Sequence, residues 1–241
     1  MNFQTSASSL TIIIPCYNPR PGWALRVAEH FREFCQHAAS DRIHLTFVND
    51  GSTENIQTID LQYLRQSIPD LTLISYAQNR GKGQALREGV RHSESDFYIF
   101  TDVDFPYTLE SMLAIEAALH QQSGIAVGHR STAYYEKVPW FRKVLSRSFR
   151  WFIRQLLNVP VEDSQCGLKG FDEKGKAIFL KTSIQRFLFD LEFLVLANGK
   201  IPVYAVPVQL KEGITFSTMG LKILWRESRN FLKILTRRFL K

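Results

Sequence analysis

Short apolar runs alternating with helical patterns restrict the fold of this chain more than any other feature of its sequence. Leu10–Pro15 is rich in β-branched residues and stops at a proline, the pattern of a buried strand. Ile43–Val48, Leu71–Tyr76, Phe97–Thr101 and Ile125–Gly128 repeat it. Between them Trp23–Ala38, Gly81–His92 and Leu109–Gln121 carry helical patterns. Asn49-Asp50-Gly51-Ser52 is a turn cluster able to cap the next helix. Strands alternating with helices build a largely parallel sheet covered on both faces, an α/β fold. Such sheets take ligands at the carboxyl ends of their strands. The turn clusters that follow the runs lie at those ends.

The second half reads differently. Pro139–Leu157 forms a helix pattern with Phe141, Val144, Leu145, Phe152 and Leu156 on one side and a stripe of Lys143, Arg147, Arg150 and Arg154 on the other. Phe187–Ala197 reads as a buried helix and Val203–Val208 as a strand. In the last segment Leu221, Leu224, Trp225, Leu232, Leu235 and Phe239 share a face, next to Lys222, Arg226, Arg229, Lys233 and Arg237. Basic residues beside an apolar face with Trp and Phe describe a helix lying in a membrane interface.

Charge follows the same division. Residues 137–161 hold six Lys/Arg and no acid, and residues 221–241 hold seven against Glu227. Together they carry +12, so the rest of a chain of net charge +7 carries −5. A mildly acidic body with two basic segments points to a specific anionic surface. The longest uncharged stretches fall short of the ~20 apolar residues that span a bilayer, and no leader-like N-terminus is expected from the first residues. The 241 residues suffice for one large domain or a domain with an appendage. Three widely spaced cysteines, Cys16, Cys35 and Cys166, suggest reduced thiols in the cytosol.

Three short stretches carry candidate chemistry. Asp102-Val103-Asp104 closes the fourth apolar run, just before Pro106. A solvated turn or a hard divalent cation would each account for two carboxylates there, since Mg²⁺ takes one or two carboxylates plus substrate phosphates. Asn79-Arg80-Gly81-Lys82-Gly83-Gln84-Ala85 combines glycines, a helix start and a lysine. That suits a phosphate, and equally an ordinary glycine-rich helix start; it matches neither the Walker A nor the dinucleotide spacing. Val161-Glu162-Asp163-Ser164-Gln165-Cys166-Gly167-Leu168 offers Asp163 as a base, an orienting group or a loop acid. Arg130 and Arg142 bracket the start of the basic segment, and arginine suits phosphate through its planar fork. No histidine has metal-ligand spacing, and no nucleophile elbow is present.

Taken in order, Ile-Ile-Pro-Cys-Tyr-Asn (13–18), Val-Asn-Asp-Gly-Ser-Thr (48–53), Asn-Arg-Gly-Lys-Gly (79–83), Asp-Val-Asp (102–104), Gly-His-Arg (128–130) and Asp-Ser-Gln-Cys-Gly-Leu-Lys (163–169) resemble family 2 glycosyltransferases of the GT-A fold, a Rossmann-like sheet. With Arg-Phe-Leu-Phe-Asp-Leu-Glu (186–192), the likeness is to polyprenyl-phosphate sugar transferases, and to the dolichyl-phosphate glucosyltransferase branch more than to mannose synthases. The resemblance implies a GT-A domain over residues 1–217, including the basic segment 138–157, and an interface helix over 218–241. It implies that Pro15, Tyr17 and Asp50 hold the nucleotide base and ribose, with Lys82 and Asp102 at the diphosphate. Asp102 and Asp104 would bind Mg²⁺ or Mn²⁺. Arg130, Arg142 and Ser146 would receive the acceptor phosphate, and Asp163 would lie near the reacting carbon. Asn49 stands where an aspartate is usual, Asn18-Pro19 replaces Asn-Glu, and Pro106 stands where mannose synthases carry a metal-assisting glutamine.

The function expected is inverting transfer of a sugar from a nucleotide sugar to a polyprenyl phosphate, at the cytoplasmic face of a membrane with an anionic surface. UDP-glucose is the favoured donor and GDP-mannose the alternative. Transfer to a soluble or glycan acceptor and a non-catalytic membrane scaffold are the competing functions. Nucleic acid is not an expected partner, because the basic stripes lie beside apolar faces rather than among exposed stacking aromatics.

Overall fold

A computed structural model of the chain describes residues 7–130, 157, 159–161, 163–212, 230–232 and 234–236. Its centre is a seven-stranded sheet of order β3-β2-β1-β4-β6-β5-β7. The strands are β1 (Ser9–Cys16), β2 (Arg42–Asp50), β3 (Leu71–Tyr76), β4 (Phe97–Phe100), β5 (Ile125–Arg130), β6 (Lys169–Asp172) and β7 (Val203–Val208). β3, β2, β1 and β4 run parallel, as do β5 and β7. β6 lies antiparallel between β4 and β5. The sheet expected to be largely parallel is so, with one reversed strand that the apolar pattern did not signal.

Period two along β1 divides the core. Leu10, Ile12 and Ile14 face α1 (Trp23–His37), α2 (Thr58–Ser67) and α4 (Leu109–Gln121), where Trp23, Val27, Phe34, Leu64, Ile115 and Leu119 complete one cluster. Ile13 faces the other side, toward α3 (Lys82–Arg91), α5 (Glu173–Phe179) and α6 (Phe189–Ala197). There Phe171, Phe179 and Phe193 stack and cross at centroid distances of 5.6 and 5.0 Å. Leu157, Val159 and Val161 are buried in this second cluster.

Several boundaries shift. β2 runs on through Asn49 and Asp50, so those residues end a strand instead of capping a helix. The next helix starts at Thr58, where the Asp60 carboxylate accepts from the Gln57 backbone N–H. α6 begins at Phe189, because Leu188 and the residues before it form a loop under α3. Most of the two basic segments, including Arg142 and Ser146, lies outside the described residues. At residues 230–236 Ile234 is buried in the second cluster and Phe231 and Leu235 pack on it, while Leu232 is 60% exposed. The apolar stripe facing the protein there is therefore Phe231–Ile234–Leu235. Leu232, expected to share a face with Leu235, stands about 60° off that stripe by helical geometry. Among the described residues no helix is long and apolar enough to cross a membrane.

α3 lies unusually close to the sheet. A Cβ at Gly89 would meet Ile13 Cγ2 at 2.5 Å and Val48 Cγ2 at 3.2 Å. Gly89→Ala gains up to about 1 kcal/mol of helix propensity but overpacks a closed interface, at about 1–3 kcal/mol. The second effect wins, and the variant should unfold at lower urea concentration than the wild type. An equal or higher midpoint would show that α3 can move off the sheet.

Candidate active site

The strand order turns at β1 and β4, so the crevice of the fold opens at their carboxyl ends. Four loops meet there. β1 ends at Cys16 and is followed by Tyr17, which is half exposed; Pro15 is buried within the strand opposite Val48. β2 ends at Asp50. β4 is followed by Asp102 and Asp104. β6 runs the other way, with Lys169 paired to Phe100 at the end of β4, so the loop before it, 163–168, comes to the same rim.

Lys82 Nζ donates to Asp102 Oδ1 at 2.5 Å. Burial alone would lower the Lys82 pKa, but the charges of Asp102 and Asp190 outweigh it and hold the ammonium above the usual lysine range. The Asp102 side chain is 40% exposed, and Asp104 is exposed. The loop between them is tightly closed: Phe105 N–H donates to Asp102 C=O at 2.9 Å, and Phe105 adopts a left-handed φ of 44°. Its ring is buried against His30, with centroids 5.1 Å apart, which holds the residue in a conformation unfavourable to a bulky side chain.

Gly167 brings the second loop against the first. A Cβ there would lie 3.0 Å from Asp102 Oδ2, 3.6 Å from Tyr107 Oη and 3.7 Å from Lys82 Nζ. The Tyr107 hydroxyl accepts from Gly167 N–H at 3.0 Å and from the Cys166 thiol at 3.3 Å. Burial pushes the Tyr107 and Cys166 pKa values up, so both stay protonated. Cys16, Cys35 and Cys166 are separate thiols, as the sequence suggested.

Arg130 and Asp163, distinct candidates in the sequence, form one unit. Arg130 Nε and Nη2 donate to Asp163 Oδ2 and Oδ1 at 2.7 Å each, and the Arg130 backbone N–H adds a third bond at 3.2 Å. Asp163 is 3% exposed. Burial by itself would raise its pKa, but the Arg130 fork more than offsets this and holds the carboxyl below the ordinary aspartate range.

The other expected residues have clear partners. Asp50, 2% exposed, accepts from Asn79 Nδ2 at 2.9 Å, from Arg80 N–H at 2.7 Å and from Gly81 N–H at 2.8 Å. It anchors the Asn79–Gly81 loop. The glycines of that stretch serve the chain's own packing: a Cβ at Gly81 would meet Gln185 C=O at 2.5 Å, and one at Gly83 would meet Ile184 C=O at 2.6 Å and Phe189 Cβ at 2.7 Å. The Gln84 N–H of the first turn of α3 already donates to Gln185 C=O. The suggested phosphate cradle is thus covered by loop 184–186, and Lys82 is what α3 presents to the rim. Asn49 donates to Ser75 Oγ and accepts from Ser52 N–H, so its amide uses both its donor and its acceptor. Asn18, at φ 46°, accepts from Thr53 and Glu54 N–H and so ties the β1 and β2 loops together.

Among the described residues no group of three or more His, Cys, Asp or Glu side chains gathers as a metal site. Asp102 and Asp104 still fit a hard cation: both are oxygen donors, both reach solvent, and two protein carboxylates suffice for Mg²⁺ when phosphates complete the shell.

A doubly wound α/β sheet whose crevice holds this carboxylate pair beside a lysine is the class the geometry defines. Residues 11–178 match the family described as Glycosyl transferase family 2, and the chain belongs to that family. It is similar to proteins described as dolichyl-phosphate beta-glucosyltransferase. That of Dictyostelium discoideum is 27% identical over 217 residues, which are 84% of this chain and 66% of that protein. That of Mus musculus is 26% identical over 225 residues, 87% and 69% of the two chains. The chain spans about two thirds of the length of these relatives. Its fold is similar to that of the mannosyltransferase PcManGT from Pyrobaculum calidifontis in complex with GDP-Man and Mn²⁺ (TM-score 0.59, 17% identity, 84% of this chain and 56% of that one). It is also similar to glucosyl-3-phosphoglycerate synthase from Mycobacterium tuberculosis in complex with UDP (TM-score 0.63, 14% identity, 96% and 80%). The GT-A fold expected from the sequence is the one observed.

Asp163→Asn tests the Arg130 unit. It removes the carboxylate's charge from a pair whose aspartate is buried and whose guanidinium is largely so, and stability should fall by about 3–5 kcal/mol in urea unfolding. The wild-type contribution is full above the ordinary aspartate pKa of 3.8 and is lost as pH falls through the lower folded value. The variant should lack that acid-side loss. Unchanged stability at neutral pH would show that the fork contributes nothing net.

Proposed function

We propose that the chain transfers a sugar, glucose from UDP-glucose, to a polyprenyl phosphate at a membrane surface, with inversion at the anomeric carbon. The observation that carries this reading is the contact of the Lys82–Asp102 pair with Gly167, in the 163–168 loop whose Asp163 holds Arg130, at the crevice of a family 2 fold. The names of the similar proteins support the lipid phosphate and the glucose. The GDP-Man, UDP and Mn²⁺ bound by proteins of like fold support a nucleotide sugar and a divalent metal. Tyr17 stands exposed beside the crevice and is the residue we assign to the base, with Pro15 and the Asp50-anchored loop behind it.

In the reaction a phosphate oxygen of the acceptor attacks the anomeric carbon. The bond from that carbon to the diphosphate breaks, and its electron pair leaves with the nucleoside diphosphate. A divalent cation held by Asp102 and Asp104 would neutralise the charge that grows on the leaving group. Lys82 adds a fixed positive charge at the same place. No base is required, because a phosphate monoester has a second pKa near ~6 and is mostly ionised at neutral pH. The low pKa of Asp163 and its fork on Arg130 support an orienting role: it holds the guanidinium toward the incoming phosphate. Arg142 and Ser146 are assigned to the same phosphate by resemblance. The basic segments 138–157 and 218–241 are assigned to the anionic cytoplasmic face of the membrane.

Incubation with UDP- and GDP-sugars, Mn²⁺ and a polyprenyl phosphate, followed by mass measurement of the lipid, tests the reading. A hexose added to the lipid from UDP-glucose is expected; transfer only to a soluble or glycan acceptor would overturn the lipid assignment. Asp104→Asn should reduce transfer by at least ~10²-fold with the thermal midpoint little changed, and full turnover in that variant would remove the metal. The chain should also bind anionic liposomes in a sedimentation assay and leave them at high salt, since exposed charge attraction is screened. Failure to bind at low salt would refute the interface assignment.

A further inference from the structure

Behind the rim lies an ion pair that the proposed chemistry does not use. Lys169, the first residue of β6, is fully buried, and Asp190, in the first turn of α6, is 6% exposed. Lys169 Nζ lies 2.9 Å from Asp190 Oδ1, yet that oxygen has no aligned hydrogen bond among the described residues. Lys169 Nζ also donates to Cys166 C=O, which ties the pair to the loop carrying Gly167. Residues of the second core cluster flank the pair along the chain: Phe171 in β6, and Phe189, Leu191 and Phe193 in α6. A buried pair of this kind is no more stabilising than apolar side chains of the same size. Its presence asks for a purpose other than stability.

Placement supplies one. Lys82 and Asp190 each neighbour a residue of a tight contact: Gly83 follows Lys82, Phe189 precedes Asp190, and the two meet too closely to admit a Cβ. α6 is fixed in this position from both sides. Glu192 accepts from Ser183 N–H at 2.8 Å and Ile184 N–H at 2.7 Å, and Arg87 Nη1 donates to Ile184 C=O at 2.8 Å. Because Gly83 and Phe189 are in contact, their neighbours Lys82 and Asp190 come close: Asp102 bonds to Lys82, and the charges of Asp102 and Asp190 together hold its pKa up. The same alternation runs on to Lys169 and then to Asp163 and Arg130. With Asp102 engaged by a cation, Lys82 would lose its hydrogen-bonded partner and face a positive neighbour.

We propose that Asp190, held by Lys169, is a positioning residue that keeps the Lys82 ammonium at the rim while Asp102 is engaged by the cation and the diphosphate. This rests on the reading of the rim as a nucleotide-sugar site. Asp190 touches no substrate; it acts through Lys82.

The test compares wild type, Asp190→Asn, Lys169→Met/Asp190→Leu, Lys82→Met and Lys82→Met/Asp190→Asn. UDP affinity with Mn²⁺ is read by calorimetry, beside the thermal midpoint and the KM and kcat for the donor. Asp190→Asn should weaken UDP binding about tenfold, the scale of one charged hydrogen bond, and raise donor KM. The apolar double variant, which leaves no buried charge alone, should recover the thermal midpoint but not the UDP affinity. In the Lys82→Met background Asp190→Asn should have no further effect on UDP binding, because the residue through which it acts is gone. Recovery of both stability and UDP affinity in the apolar double variant, or an undiminished effect without Lys82, would overturn the proposal and leave the site reading intact. A wild-type chain that binds no UDP would overturn the site reading itself.

Discussion

The way β6 enters the sheet decides what stands at its rim. Were the strand between β4 and β5 parallel to them, its first residue would lie at the far edge, with the 163–168 loop. Because β6 is reversed, Lys169 pairs with Phe100, and Asp163, Cys166 and Gly167 arrive beside Asp102 and Arg130. The reversal also faces Phe171 toward Tyr98 and Phe179, so one strand of four residues joins the aromatic core to the crevice.

That geometry places charges where water cannot solvate them. Lys169 is fully buried, Asp163 nearly so, and an isolated charge at either position would be lost to a pKa shift or to unfolding. The structure answers with alternation. Arg130 forks onto Asp163, Lys169 faces Asp190, and Lys82 faces Asp102. Burial still outweighs both lysines at Asp190 and holds its pKa above the ordinary range, whereas the hydrogen-bonded Asp163 is held below it. The contrast follows from geometry: Asp163 receives aligned donors on both oxygens, and Asp190 has an ion at close range without alignment.

What was legible in the sequence is what local physics governs. Buried parallel strands announce themselves by β-branched runs, so β1 to β5 and β7 were readable within a residue or two. Lys169-Gly170-Phe171-Asp172 carries no such signal, because its place is set by long-range pairing and by Gly170, which lets Ile115, Leu119 and Ile99 close over it. The glycines of 79–83 suit a phosphate and an ordinary helix start equally in the sequence; in the structure they make room for Gln185 and Phe189, residues about a hundred positions away. Asp50 is visible as a candidate ligand, and its three bonds to the Asn79–Gly81 loop are not, since nothing local shows what a carboxylate will meet. Lys169, Asp190 and Tyr107 went unassigned for the same reason. Only the motifs containing the first two, Asp-Ser-Gln-Cys-Gly-Leu-Lys and Arg-Phe-Leu-Phe-Asp-Leu-Glu, gave a signal.

Charge balance connects the rim to the basic segment. Among the described residues, Asp102, Asp104, Asp163 and Asp190 at and behind the rim outnumber the cations paired with them, Lys82, Arg130 and Lys169. The surplus is negative, which favours a divalent cation and opposes an anionic acceptor. In the proposed function further positive charge is needed before a phosphate dianion can approach. The chain stores that charge between Arg130 and Asp163: the intervening residues include Arg142, Lys143, Arg147, Arg150 and Arg154. Both ends of this segment are anchored. Arg130 ends β5, while Leu157, Val159 and Val161 are sunk in the core just before Asp163. The Arg130–Asp163 fork joins residues 33 apart in sequence, where the entropy of bringing distant parts of the chain together must be offset by a strong local bond. In the proposed function one ion pair thereby does two things: it presents a guanidinium to the acceptor phosphate, and it tethers one of the two basic segments beside the place where that phosphate must arrive.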